Sequence, residues 1–439
     1  MIQVSLFLLA LVLRLTLFII ASGDEARFIR PDTMKYVRPA VNLVDHGAFS
    51  SSTEEPFEPE FNITPGFPAF IITVFSIFGR SFTILALILL LIDSTVPVIL
   101  YRAGERWRSW KVGTAAGLLY AVNLLCVISC QHILTDSLFT FFVSLQILFY
   151  IRFFREGRTP DLVITVLLLG IMTMIRPTAS NWIFILLALL LFTRPLPGNR
   201  RLSRMIITVV IFAAICAPWV TRSVKGGAGF RLVTIYAKGV RYNFAPAVEA
   251  EVTGTPAGKI RADLKESDRI LFESNPGLFP DEDSRYKYRL DKGLETIKSH
   301  PLVFLKLCAR PYVLLPAVDA FYEHIGVTAG GKGTLDILTR KGPLAAVGHY
   351  FGGKTWLIIP VIPWLLILGL TYLACLRGLF ICFRDKAWGA ILAFAFFALY
   401  YLVILGSNTL SRYRLAAMPA IVLMAGLGTA SWKRIAQRK

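Results

Sequence analysis

Residues 2–22, IQVSLFLLALVLRLTLFIIAS, and residues 30–36, RPDTMKY, decide how this chain is read. The first is an apolar run interrupted only by Arg14, and it is long enough to cross a bilayer as a helix. It has no basic segment ahead of it and it heads a chain of many apolar runs, so it reads as an uncleaved first span rather than a leader. The second opens a polar stretch. Arg30-Pro31-Asp32-Thr33-Met34-Lys35-Tyr36, then Ala40, Leu43 and His46-Gly47, has the pattern of a short amphipathic helix with one carboxylate, Asp32, at its head. Two roles suit Asp32. An aspartate before a helical run caps free backbone N–H groups, and a lone carboxylate just outside a span is a candidate base.

The remainder of the chain repeats the first motif. Of 439 residues, 55% are hydrophobic, and apolar runs near ~20 residues recur along the length. The fold class is an all-α polytopic integral membrane protein. A net charge of +19 would suggest nucleic acid in a soluble chain, but no aromatic-interleaved basic module is present and no nucleic-acid partner is expected. The six cysteines, Cys126, Cys130, Cys216, Cys308, Cys375 and Cys382, form no C-x-x-C pair, and the five histidines form no metal motif.

After helix 1 (1–22) comes a first outer loop, 23–80. Within it Thr64-Pro65-Gly66-Phe67-Pro68 opens an apolar segment ending at Phe78-Gly79, too short to span and so interfacial. Residues 81–220 carry spans 2 to 7: 81–101, 112–130, 137–154, 162–175, 177–192 and 205–220. Residues 221–354 form a long polar region whose middle, 245–283, is rich in Pro, Gly and acids and is expected to order only on binding. An amphipathic helix is expected over 283–299, stopped by His300-Pro301. The segment 302–318 carries Lys306 and Arg310 and reads as interfacial. Spans 8 to 10 (355–376, 387–405, 415–430) fill 355–430, and 431–439 is a basic tail. The total is about ten spans.

Charge orients the ladder. Arg102, Arg106, Arg108 and Lys111; Arg152, Arg155 and Arg158; Arg194, Arg200, Arg201 and Arg204; Arg377, Arg384 and Lys386; and the tail all fall on one side. Lys and Arg in short loops mark the cytoplasm, so both termini are expected there. The opposite face then gathers Asp32, Asp136, Arg222, Lys306, Arg310, Arg412 and Arg414. Carboxylates with a guanidinium cluster at a membrane surface suit an anionic lipid head, because Arg forks fit phosphate oxygens. Each has a plainer alternative: Asp136 as a helix cap, Arg412 and Arg414 as residues snorkelling to headgroups, Lys306 and Arg310 as an interfacial polar face. Arg14 and Asp93 lie inside spans and are expected to pair as a structural ion pair.

Taken in order, these motifs resemble the GT-C glycosyltransferases that use polyprenyl-phosphate sugars, including aminoarabinose transferases and protein O-mannosyltransferases. Asp32 with Tyr36, Ala40, Leu43 and Gly47 is similar to their first periplasmic loop. Thr64-Pro65-Gly66-Phe67-Pro68 resembles their Pro-rich interfacial helix, and Thr135-Asp136-Ser137 with Phe139 their second-loop aspartate. Arg176-Pro177-Thr178, Pro218-Trp219 with Arg222, and Ser411-Arg412-Tyr413-Arg414 with Pro419 complete the series. Thr33 departs from an acidic residue often found there, no Lys precedes Pro65, and the Trp-Trp-Asp signature of oligosaccharyltransferases is absent, which leaves the sugar open.

The resemblance implies inverting transfer of a sugar from undecaprenyl-type phosphate to a lipid, glycan or protein acceptor, at the periplasmic face of a bacterial inner membrane. Asp32 and Asp136 would be catalytic. Tyr36, Arg222, Lys306, Arg310, Arg412 and Arg414 would bind substrate. No cofactor is fixed by it, and a divalent metal, if used, is placed at Asp136. Two other readings stay open: an O-antigen ligase or polymerase using lipid diphosphate-linked glycan, and a polytopic lipid or sugar transporter.

Overall fold

The computed structural model describes residues 1–192, 198–309, 314, 316–327, 334–390 and 411–430. Among these residues the chain is helical, its only extended pairing being an isolated bridge between Ser50 and Pro59. Six helical stretches are long and apolar enough to cross a membrane: Ile2–Ala21, Phe82–Trp107, Thr135–Glu156, Arg200–Lys225, Thr355–Arg384 and Ser411–Ala430. Three shorter apolar ones, Gly66–Phe78, Thr159–Ile175 and Pro177–Leu191, accompany them. This is an integral membrane protein. Most of the ninth expected span, 391–405, and the basic tail lie outside the described residues.

In chain order α1 is Ile2–Ala21, α2 Met34–His46, α3 Gly66–Phe78, α4 Phe82–Ser94 and α5 Val96–Trp107. Then come α6 Trp110–Ala121, α7 Leu124–Ser129, α8 Thr135–Glu156, α9 Thr159–Ile175, α10 Trp182–Phe192 and α11 Gly198–Lys225. The long polar region holds α12 Ile235–Gly239, α13 Ala245–Thr253, α14 Ala257–Ser274, α15 Glu282–Ser299, α16 Pro301–Cys308, α17 Val318–His324, α18 Thr334–Lys341 and α19 Pro343–Tyr350. The last helices are α20 Ile362–Arg384 and α21 Met418–Ala430.

Membrane helices sort their residues by partner rather than by polarity, since lipid is as apolar as Leu. On α20, Leu366, Leu370, Leu373, Leu376, Phe380 and Phe383 form an exposed stripe at helical spacing. The opposite face, Ala374, Cys375, Gly378 and Cys382, is buried against α21. The approach there is backbone to backbone: a Cβ on Gly378 would strike the Met424 carbonyl, and one on Gly428 the Ala374 carbonyl. Gly428→Val is therefore expected to remove most folded protein, as monodisperse material on size exclusion, because overpacking costs about 1–3 kcal/mol or more. Gly369→Val, on the open face, is the control and should elute as wild type.

Two expectations need correction. The run 112–130 is not one helix. Asn123 breaks it into α6 and α7, its side-chain oxygen accepting the Cys126 N–H at 3.4 Å as a cap for the second piece. The middle of the long region, expected to order only on binding, is helical in α13 and α14. A buried pair holds it: Arg241 donates to both carboxylate oxygens of Asp268 at 3.0 and 2.7 Å. The amphipathic helix expected over 283–299 forms as α15, started by a reciprocal cap between Asp281 and Ser284. The eight-residue α16, at about 1.5 Å per residue, is too short to cross alone.

Charged groups gather in two separate places. In one, Arg106 pairs with Glu156 at 2.5 Å, Arg152 with Asp161 at 3.0 Å, and Arg204 donates to the Gly157 carbonyl at 2.6 Å. In the other stand Asp32, the segment 131–136, Arg176 and Arg412. Between them the expected pair is present: Arg14 and Asp93 meet at 2.7 Å, both 0% exposed, with the Tyr120 hydroxyl donating to Asp93 at 2.8 Å.

Candidate active site

The turn 30–33 is closed by its own atoms. The Thr33 N–H donates to the Arg30 carbonyl, and the Arg30 N–H to the Thr33 hydroxyl, at 2.8 and 2.9 Å. That hydroxyl in turn donates to the Ile133 carbonyl at 2.9 Å, tying the first outer loop to the second. Because Thr33 occupies the cap position without a capping side-chain bond, Asp32 is not the helix cap that its sequence position suggested. Its carboxylate projects outward instead. Lys35 Nζ donates to Oδ1 at 2.6 Å and Arg412 Nη2 to Oδ2 at 2.5 Å. Burial pushes the Asp32 carboxyl up, but the hydrogen bonds and charges of Arg412 and Lys35 outweigh it and hold it below the usual carboxylate range.

Asp136 sits in the first turn of α8, where an anion also suits the positive end of the helix. Arg176, at the step between α9 and the turn that follows it, donates to Asp136 Oδ1 at 2.8 Å. The two acids belong to one cluster. Tyr36 lies within electrostatic range of Asp32, Asp136 and Arg176, meets the Thr135 side chain, and packs edge-on to Phe67 of α3 at 5.4 Å. Arg412 lies within range of Asp136 as well. Its Nε is buried and, among the described residues, has no hydrogen-bond partner. Gly66, next to Phe67, packs α3 so tightly on α9 that a Cβ there would stand 2.5 Å from the Met174 carbonyl oxygen.

A neutral histidine pair backs the cluster. Arg30 bridges Glu323 at 2.6 Å and His132 Nε2 at 2.9 Å; a guanidinium only donates, so that nitrogen accepts. Burial and the charge of Arg30 push the His132 pKa well below its ordinary value and that of His324 down to about 4. His324 meets Gln131 Oε1 at 2.9 Å, and Gln131 in turn donates to the Arg14 carbonyl at 3.2 Å.

The other expected site residues lie apart. Arg222 is boxed by Phe49, Phe61 and Trp219, 5.2, 4.9 and 4.6 Å from their ring centres, and donates to the Glu60 carbonyl at 3.0 Å. It clasps the first loop to the end of α11 and borders a cavity of about 530 Å³ with Lys225 and Thr221. Arg414 does not snorkel: it is 1% exposed, over the Tyr372 ring at 5.8 Å. Lys306 is exposed and pairs with Glu251 at 3.2 Å. Arg310 lies outside the described residues. Lys35, Thr135 and Arg176 join the cluster without having been singled out for a site. Lys35 and Thr135 stood in the motifs around Asp32 and Asp136, and Arg176 in the Arg176-Pro177-Thr178 step. Among the described residues no three His, Cys, Asp or Glu side chains converge as a metal site. Each of the two acids is already compensated by a guanidinium, which does not fit a resident divalent cation.

Residues 62–221 match the family model described as dolichyl-phosphate-mannose-protein mannosyltransferase. No curated protein sequence matches significantly. The fold matches the archaeal oligosaccharyltransferase AglB from Archaeoglobus fulgidus, solved with an inhibitory peptide and a dolichol-phosphate, at TM-score 0.51 and 15% identity. It matches the same organism's enzyme tethered to an acceptor peptide at 0.53 and 14%. The chain is similar to that mannosyltransferase family over residues 62–221 and shares the fold of the archaeal membrane enzyme. These alignments cover 99% of this chain but 51% and 50% of the archaeal enzyme, so the chain spans about half the length of these relatives. ArnT from Cupriavidus metallidurans, bound to undecaprenyl phosphate, aligns at TM-score 0.45 and 16% identity over 99% of this chain and 78% of its own.

Proposed function

We propose that the chain is an inverting glycosyltransferase that moves a sugar from a polyprenyl phosphate to a hydroxyl acceptor at the periplasmic face of a bacterial inner membrane. The observation that carries this reading is Asp32 held between Arg412 and Lys35, with the buried Nε of Arg412 left over. Asp32 accepts the proton of the acceptor hydroxyl, within hydrogen-bond reach once that substrate is bound. The acceptor oxygen forms the new bond at the anomeric carbon as the bond from that carbon to the phosphate oxygen breaks. The electron pair leaves with the lipid phosphate, whose gained charge Arg412 meets through its spare donor. Tyr36 and the Asp136–Arg176 pair shape the sugar pocket.

The site also has a pH signature. A carboxylate whose pKa is depressed in the folded protein is ionised above that value and loses its contribution as pH falls through it. The acid limb of transfer should therefore lie below about pH 4, the ordinary carboxylate value. Arg412→Gln removes the hydrogen bond and charge that depress it, so the limb should move to higher pH as well as the rate falling. Rates of transfer from a synthetic polyprenyl phosphate sugar, measured against pH, test this. An unmoved limb with a lowered rate would mean that Arg412 serves the phosphate alone and does not tune Asp32.

A further inference from the structure

A second pocket lies in the long polar region, away from Asp32. It encloses about 270 Å³ between α14, α15 and residue Tyr242. Tyr242 stands on a π-helical turn, Val240–Phe244, and such wide turns are rare and concentrate at functional sites. The turn is firmly built. Arg241 and Asp268 pair beneath it, the Tyr242 hydroxyl donates to Asp268 at 2.9 Å, and Gly293 of α15 admits the Val240–Arg241 backbone within 3.0 Å of where a Cβ would stand.

Charge in the pocket is one-sided: Lys265, Arg269, Arg285 and Arg289 face a single acid, Glu273. Two of the cations are engaged. Arg269 pairs with Glu266 and Glu273 at 2.7 Å, and Arg289 with Glu282 at 3.0 Å. Among the described residues the other two have no ion pair. Arg285 Nε is buried without a hydrogen-bond partner. The floor is Phe272, with Arg289 and Arg285 stacked over it at 4.9 and 5.9 Å. A structural salt-bridge network would pair its charges; this one keeps donors in reserve over an aromatic floor.

We propose that this pocket binds an anionic saccharide, a sugar bearing a carboxylate or a phosphate. The volume suits about one ring, being near the lower end for small-molecule sites. Arg285 and Lys265 take the anionic group, the fork of Arg285 matching two oxygens, and the half-buried Tyr242 takes the apolar side of the ring. That this sugar belongs to the acceptor rests on the transferase reading; the binding site itself does not.

The test uses the full chain purified in detergent, with binding of glucose 1-phosphate, glucuronate, glucose, inorganic phosphate and an acidic hexapeptide followed by saturation-transfer NMR. Both anionic sugars should bind about tenfold or more tighter than glucose, as charge-assisted hydrogen bonds would give. Lys265→Gln/Arg285→Gln, eluting and melting as wild type, should abolish that advantage, whereas Asp32→Asn should retain it. Equal binding of glucose, of inorganic phosphate in place of glucose 1-phosphate, or preference for the peptide overturns the proposal, as does full binding by the double variant. If Asp32→Asn keeps binding and keeps every glycan, the transferase reading fails alone. If Asp32→Asn loses a glycan but no anionic sugar binds, the pocket proposal fails alone.

Discussion

Asp32→Asn should be made, inserted and purified like the parent protein, and should transfer sugar about 10²–10⁴-fold more slowly, the range that a positioned general base contributes. The structure gives the reason for the first half. Asp32 caps no helix, its loop is closed by Thr33, and asparagine preserves its shape. The second half follows because an amide cannot take a proton from an acceptor hydroxyl. The measurement is mass spectrometry of envelope glycolipids and glycans from a deletion strain complemented with either form. A normal amount of variant that leaves the same one-sugar deficit as the deletion supports the reading, and the missing mass names the sugar. Full restoration by asparagine would leave Asp32 an ion-pair partner and nothing more. A deletion lacking no sugar would favour the transporter reading, and loss of a whole lipid-linked oligosaccharide the ligase reading.

The site was legible in the sequence where topology alone brings residues together. Asp32, Asp136 and Arg412 each adjoin an apolar run, and the loop charges led to the expectation that those ends share one face. What topology cannot give is lateral position around the ring of helices. Arg222 and Arg414 adjoin spans at the same end, yet Arg222 is drawn into an aromatic box by Phe49, Phe61 and Trp219, and Arg414 turns inward to Tyr372. Apart from Trp219, three residues before Arg222, the partners that set both destinations lie far away in the chain. Arg176 was the converse: its place was visible, but its partner Asp136 is a tertiary fact. The break at Asn123 was hidden for a different reason. Every residue around it is apolar, so hydropathy runs straight across a cap that backbone hydrogen bonding recognises. The helices of 245–283 were masked by their Pro, Gly and acids, and the bond that orders them joins Arg241 to Asp268 across the intervening helix α13.

Asp93→Ala should have the opposite phenotype, loss of the protein itself. Arg14 and Asp93 are both fully enclosed, and removing one partner leaves the other charge buried without compensation, at a cost of about 3–5 kcal/mol. That is a large share of the roughly 5–15 kcal/mol by which folded proteins are usually stable. The expected result is a lower yield of monodisperse protein and a melting temperature reduced by many degrees. Removing both charges together, as Arg14→Leu/Asp93→Leu, should recover much of the loss, because apolar groups of similar volume can replace a buried pair. A wild-type melting curve for Asp93→Ala would mean that Arg14 reaches water by another route. The consequence for activity runs through Gln131, which donates to the carbonyl of Arg14 and meets His324, and whose neighbour His132 faces Arg30. That chain of contacts fixes the segment 131–136, and with it Asp136. Any Asp93→Ala protein that survives should therefore lose transfer in proportion to its loss of stability, whereas Asp32→Asn separates the two.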